Sequence, residues 1–137
     1  MLLGSEQMRI HAYIRVVSDE TVVRAIDHEA KLREAVVKET KAPKNNGSGA
    51  MWWNWNTPRV LLDANDPDAG LKKLLAEYRA IFPIIRKQSG PDCVTYLQLV
   101  TEYEKTEEPR GLYLSNETIV LINEMGGSLD NDVVLHE

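Results

Sequence analysis

The stretch Gly111-Leu-Tyr-Leu-Ser-Asn-Glu-Thr-Ile-Val-Leu-Ile-Asn-Glu-Met-Gly-Gly-Ser-Leu-Asp-Asn-Asp-Val-Val-Leu135 decides the fold, because it reads in order as a strand end, a capped helix, a glycine stop and a final strand. Ser115 is placed to cap the helix, its hydroxyl accepting from an amide that has no partner inside the helix. Glu117 falls in the first turn, where the helix dipole favours negative charge. Ile119, Leu121, Ile122 and Met125 supply a broad apolar side, and Gly126 or Gly127 can take the left-handed conformation that ends a helix. In the strand that follows, Leu129, Asn131, Val133 and Leu135 point one way and Asp130, Asp132 and Val134 the other, since side chains alternate across a strand.

Working outward, 137 residues suit one domain with one core. Hydrophobic residues make up 43% and charged residues 27%, the balance of an ordinary globular domain and not of a disordered tail. The apolar runs fall far short of the ~20 residues that cross a bilayer, and Met1-Leu-Leu-Gly-Ser is too short for an export signal. A lone cysteine, Cys93, excludes an internal disulfide, so the expected location is cytoplasmic. The formal charge of −5 argues against a polyphosphate partner, because Lys38, Lys41 and Lys44 are the nearest thing to a basic group. No nucleic acid and no membrane are therefore expected as partners.

Residues 1–8 read as a flexible leader and 9–137 as a single α+β domain. From Arg9 to Val17, Ile10, Ala12, Ile14 and Val16 alternate with Arg9, His11, Tyr13 and Arg15, the period of a half-buried strand. Ser18 or Asp19 then caps a helix carrying Val22, Val23, Ile26 and Ala30. Between Leu32 and Lys41 a helix extension and a strand are both open, with a strand beginning near Ala35 favoured. The turn formers of Ala42 to Ala50 predict a mobile loop, and Met51 to Asn56 a strand that closes a hairpin. Asp66 and Pro67 open a second helix with Leu71, Leu74, Leu75, Tyr78 and Phe82 on one face; Pro83 bends or restarts it. Val94 to Tyr103 is the next strand. The order predicts an α+β fold: an antiparallel sheet with helices on one face, a ferredoxin-like βαββαβ core and an extra C-terminal αβ unit.

On Gly111-Leu-Tyr-Leu-Ser115 and Met125-Gly-Gly-Ser-Leu-Asp-Asn-Asp132, the chain resembles the small bacterial family catalogued as domain of unknown function 4279. The opening strand Tyr13-Ile-Arg-Val-Val-Ser-Asp19 and the tryptophan strand Trp52 to Asn56 extend the resemblance more loosely, and Thr21 to Lys44 departs from the family pattern. The resemblance implies a compact α+β domain; it brings no activity and no catalytic residues.

Candidate sites are few. Trp52, Asn54 and Asn56 place an aromatic beside amides next to a loop, a composition common in binding surfaces, against the plainer reading of a core tryptophan. Trp53 and Trp55 read as core. His11, Tyr13 and Arg15 share the polar face of the first strand, where Arg15 can hold a carboxylate or phosphate in a fork of hydrogen bonds, against the reading of a solvated face with cross-strand ion pairs. Asp130 and Asp132 read as solvated carboxylates, not as a metal site. Cys93 has no sequence neighbour to lower its pKa and reads as structural. No phosphate loop, nucleophile elbow or metal spacing is present, so no catalytic residue, cofactor or metal is expected. These readings favour a non-catalytic protein-binding module, in an immunity or accessory role toward a protein partner. The alternatives are a small-molecule binder or small enzyme with a pocket between the sheet and the third helix, and a homodimer built through the C-terminal edge strand.

Overall fold

The computed structural model describes residues 8–104 and 111–136. It is a mixed α+β fold with six strands in one sheet: β1 (Arg9–Ser18), β2 (Val36–Pro43), β3 (Met51–Asn56), β4 (Val60–Leu62), β5 (Val94–Glu104) and β6 (Ser128–His136). Four helices accompany them: α1 (Glu20–Ala30), α2 (Pro67–Tyr78), α3 (Phe82–Gln88) and α4 (Asn116–Met125). The leader expected over residues 1–8 falls, up to residue 7, outside the described residues; Met8 is half-buried and packs against the core.

The strand order is β2-β3-β1-β5-β6, with β4 also paired to β1. β1 is central, running antiparallel to β5 from Arg9 opposite Glu102 to Val17 opposite Val94. On its other side it meets β3, with Val16 opposite Trp55, and then β4, with Ile10 opposite Leu62. Between those two strands the ladder is patched by Thr57, whose amide donates to the Ile14 carbonyl at 3.0 Å while its hydroxyl accepts from the Ile14 amide at 2.9 Å. Pro58 follows directly and has no amide hydrogen to continue the pairing, which divides β3 from β4.

The expectation of an antiparallel sheet is corrected at one edge, where β6 pairs with β5 in parallel. The chain returns to the same end of the sheet through α4, and a crossover of this kind brings the next strand back in the same direction. The segment read as a strand end, Gly111 to Leu114, lies outside any strand. The open choice between Leu32 and Lys41 resolves as a strand from Val36. Pro83 does restart the helix: a 3-10 turn, Arg79–Ile81, separates α2 from α3.

Burial alternates strictly along β1, with Ile10, Ala12, Ile14 and Val16 buried and their neighbours half-exposed. The buried set joins Trp55, Leu97 and Leu99 from the sheet with Val23, Ile26, Leu71, Leu74, Leu75, Phe82, Ile85 and Met125 from the helices. Helix α1 packs on α3, α3 on α4 and α4 on α2, so the helices form one connected layer over this side of the sheet. Helix α4 has the expected cap, the Ser115 hydroxyl accepting from the Thr118 amide. Gly126 ends the helix at φ 77°, and Gly127 passes so close to β5 that a Cβ there would sit 3.1 Å from the Thr95 carbonyl oxygen.

One tie within the helix layer spans two distant segments. Asp68, buried in the first turn of α2, accepts from the Ser115 amide at 2.9 Å and from the Thr118 hydroxyl at 2.7 Å. Burial alone pushes this carboxyl upward. The hydrogen bonds from Thr118 and Ser115, with the charge of Lys72, outweigh it and hold Asp68 below the ordinary aspartate value. Asp68→Ala leaves a buried amide and hydroxyl without their acceptor, and denaturant unfolding is expected to show a loss of about 2 kcal/mol. A carboxyl lowered on folding stabilises fully above its unfolded pKa, and that stability is lost as pH falls through the folded value. Acid titration of the wild type is therefore expected to show a slope that Asp68→Ala lacks; identical slopes would contradict the assignment.

Candidate functional site

Opposite the helix layer, the second side of the sheet carries Arg9, His11, Tyr13 and Arg15 from β1, Asn54 and Asn56 from β3, and Tyr96, Gln98, Val100 and Glu102 from β5. The pairing makes this a continuous surface: Arg15 is opposite Asn56 on one side and Tyr96 on the other, and Tyr13 is opposite Gln98. No helix of the connected layer covers it, and His11, Tyr13, Arg15, Tyr96 and Asn56 are half-exposed there.

Arg15 lies at the centre of this face. Its Nε donates to Asn54 Oδ1 at 3.1 Å, its Nη1 reaches Gln98 Oε1 at 3.5 Å, and its guanidinium carbon stands 5.9 Å from the centre of the Tyr96 ring. Gln98 is fully buried beneath, and its amide nitrogen donates to the carbonyls of Leu99 and Asp130. Asn54 is also buried. Two buried amides thus accept from two of the guanidinium nitrogens, Nε and Nη1. Among the described residues, no carboxylate oxygen lies within 4 Å of it. Beside it, Asn56 Oδ1 is buried with no hydrogen-bond partner among the described residues, an arrangement that costs about 1–3 kcal/mol while it lasts.

Farther down β1 the character changes. Arg59, from the turn between β3 and β4, stacks over the Tyr13 ring with 5.1 Å to its centre. His11 Nε2 is 3.4 Å from Glu102, and His136 Nε2 is 3.0 Å from the same carboxylate. The hydrogen bond from His136 is the largest influence on Glu102, and with the charges of His136, Arg9 and His11 it holds this carboxyl below the ordinary glutamate value.

Of the residues singled out from sequence, His11, Tyr13, Arg15, Asn54 and Asn56 share this face, and Arg15 and Asn54 bond directly. Trp52, by alternation along β3, lies on the same side as Asn54 and Asn56, at the strand end. Lys44 Nζ lies 4.8 Å from the centre of its ring and pairs with Asp19 and, at 3.8 Å, with Asp92. Asp19 is spent on that lysine and makes no side-chain cap on α1. Trp55 is core, its Nε1 donating to Asp27 at 3.2 Å, while Trp53 is half-buried under Arg24. Asp132 is exposed and Asp130 half-exposed, and Cys93 is a half-buried free thiol. Among the described residues no three His, Cys, Asp or Glu side chains converge as a metal site would require. No helix among them is long and apolar enough to cross a membrane. Sequence reading missed Tyr96, Gln98, Glu102 and Arg59; the one available signal was Gln98, a polar residue amid the apolar run of β5.

A cavity of about 210 Å³ lies on the other side of the sheet, between Ile10, Thr101 and Asn131 and the segments that lead into α2 and α4, including Leu112 and Tyr113. It contains neither Arg15 nor His11, so the pocket and the charged face are separate features. In comparisons with known proteins, no family model matches the chain, and no curated protein or solved structure matches it significantly.

If Asn54 orients the guanidinium, Asn54→Ala is expected to lower stability by about 1–2 kcal/mol and to speed solvent exchange of the Arg15 Nε proton in NMR spectra. Unchanged exchange would show that the bond does not hold the side chain.

Proposed function

We propose that this chain is a non-catalytic, cytoplasmic protein-binding module that recognises its partner through the uncovered sheet face, with Arg15 as the anchor for a partner carboxylate. The observation that carries the reading is the half-buried guanidinium held by two neutral amides, with no carboxylate facing it among the described residues. A fixed guanidinium loses little freedom on binding and presents its donors in the fork that a carboxylate matches. Tyr13, Arg59 and Tyr96 add aromatic and guanidinium surface of the kind that dominates interface energetics. The groups around Arg15 are amides and a phenol, which suits recognition better than proton transfer. Trp52 sits at the rim of this surface.

Three finer readings belong to the same proposal. The order β2-β3-β1-β5, with every neighbour antiparallel, supports a ferredoxin-like core β1-α1-β2-β3-α2-β5 to which β4 and β6 are added. Membership of the bacterial family of unknown function 4279 rests on Gly111 to Val134. An immunity or accessory role rests on the small size and acidity of the chain.

The test is affinity capture from the source cells with the wild type, Arg15→Gln and Trp52→Ala, each checked for an unchanged melting profile. A partner retained in stoichiometric amount by the wild type is expected to be lost with Arg15→Gln, a cost of at least about 2 kcal/mol, and weakened less by Trp52→Ala. Equal capture by all three would remove this face as the binding site.

A further inference from the structure

The two edges of the sheet are finished differently. At the β2 edge the pairing with β3 shifts register between Glu39 and Pro43, Lys41 takes a positive φ of 64°, and Lys38 and Pro43 lie on the strand. A bulge, lysines and a proline are the devices that keep an edge from accepting another strand.

β6 has none of these. It runs in uninterrupted register along β5 from Ser128 opposite Tyr96 to His136 opposite Glu104, and among the described residues no strand pairs with its outer side. Val133, Val134 and Leu135 are 56, 38 and 47% exposed. Alternation sends Val133 and Leu135 to the helix side and Val134 to the opposite side, so apolar surface flanks the open backbone ladder on both faces. Such an edge is a template for a further strand.

We infer that β6 pairs antiparallel with β6 of a second copy across a two-fold axis at Val133, joining the two sheets into one. The strand's own pattern selects this occupant. Its carboxylates, Asp130 and Asp132, lie in the first half, and Val134 and His136 in the second. With the axis at Val133, that residue meets itself, Asp132 faces Val134, Asn131 faces Leu135 and Asp130 faces His136 of the other copy. Every facing pair lies on the same side of the joined sheet. No carboxylate is set against another, and each acidic half meets an apolar or imidazole-bearing half, whereas a parallel copy in register would stack Asp130 and Asp132 on their own counterparts. A two-fold contact is also the form that closes on itself, so pairing stops at two copies.

The experiment is a sedimentation measurement of mass over a concentration series. The wild type is expected to reach twice the 15.5 kDa of one chain. Val133→Lys alters an exposed side chain, is expected to keep the melting profile, and is expected to stay at single-chain mass across the same range. Val133→Cys, in a Cys93→Ser background, places two thiols at the axis within disulfide reach and is expected to cross-link on mild oxidation. Val36→Cys on the opposite edge is expected not to. A wild type that stays monomeric, a Val133→Lys variant that remains dimeric, or equal cross-linking at both edges would each overturn the inference. Because Arg15 is untouched, this outcome is separate from capture of a partner through the uncovered face.

Discussion

The pairing of β1 with a strand on each side is the constraint on which the rest of the molecule depends. With β5 along one edge and β3 and β4 along the other, the backbone of β1 is satisfied from within the sheet, and only its side chains distinguish the two faces. Ile10, Ala12, Ile14 and Val16 commit one face to the helix layer. The same alternation leaves Arg9, His11, Tyr13 and Arg15 on the other, and a slip of one residue would exchange the two sets completely. The site is therefore a by-product of the register that builds the core.

That coupling explains how a cation can stand half-buried with no ion pair among the described residues. The amides of Asn54 and Gln98 are anchored on the strands that flank β1, so holding Arg15 requires no additional element. Neutral acceptors orient the charge without neutralising it. A paired carboxylate would have satisfied the same donors and closed the site. Farther along the face the opposite solution appears: the Glu102 carboxylate lies beside both His11 and His136 within the fold. Along one strand, the polar groups are therefore satisfied unequally: by neutral amides at Arg15 and by a carboxylate at His11.

Much of this was legible in the chain. The alternation of β1, the Ser115 cap, the glycine stop and the restart at Pro83 all rest on interactions among residues near in sequence, where local pattern is a reliable guide. What escaped depends on distant partners. β4 is three residues long, too short to show a period, and exists because Thr57 patches the ladder and β1 offers an edge. The parallel direction of β6 follows from the crossover through α4. Gln98 and Glu102 acquire their roles only when β5 lies beside β1. The face that holds the six chosen residues could be read from alternation; what could not is that Lys44 reaches Trp52 and ties the strand end to Asp19 and Asp92.

The division of β1 into a packed and an uncovered side is tested most directly by an alanine scan along that one strand, with unfolding free energy as the readout. Ile14→Ala and Ile10→Ala should each cost about 2–5 kcal/mol through lost burial and the cavity left behind. Tyr13→Ala and His11→Ala should each cost about 1 kcal/mol or less, as changes on a half-exposed surface do. A sawtooth of stability with a period of two residues is the predicted result. Losses of equal size at both sets of positions would mean that each face of the sheet is packed, and would contradict the account.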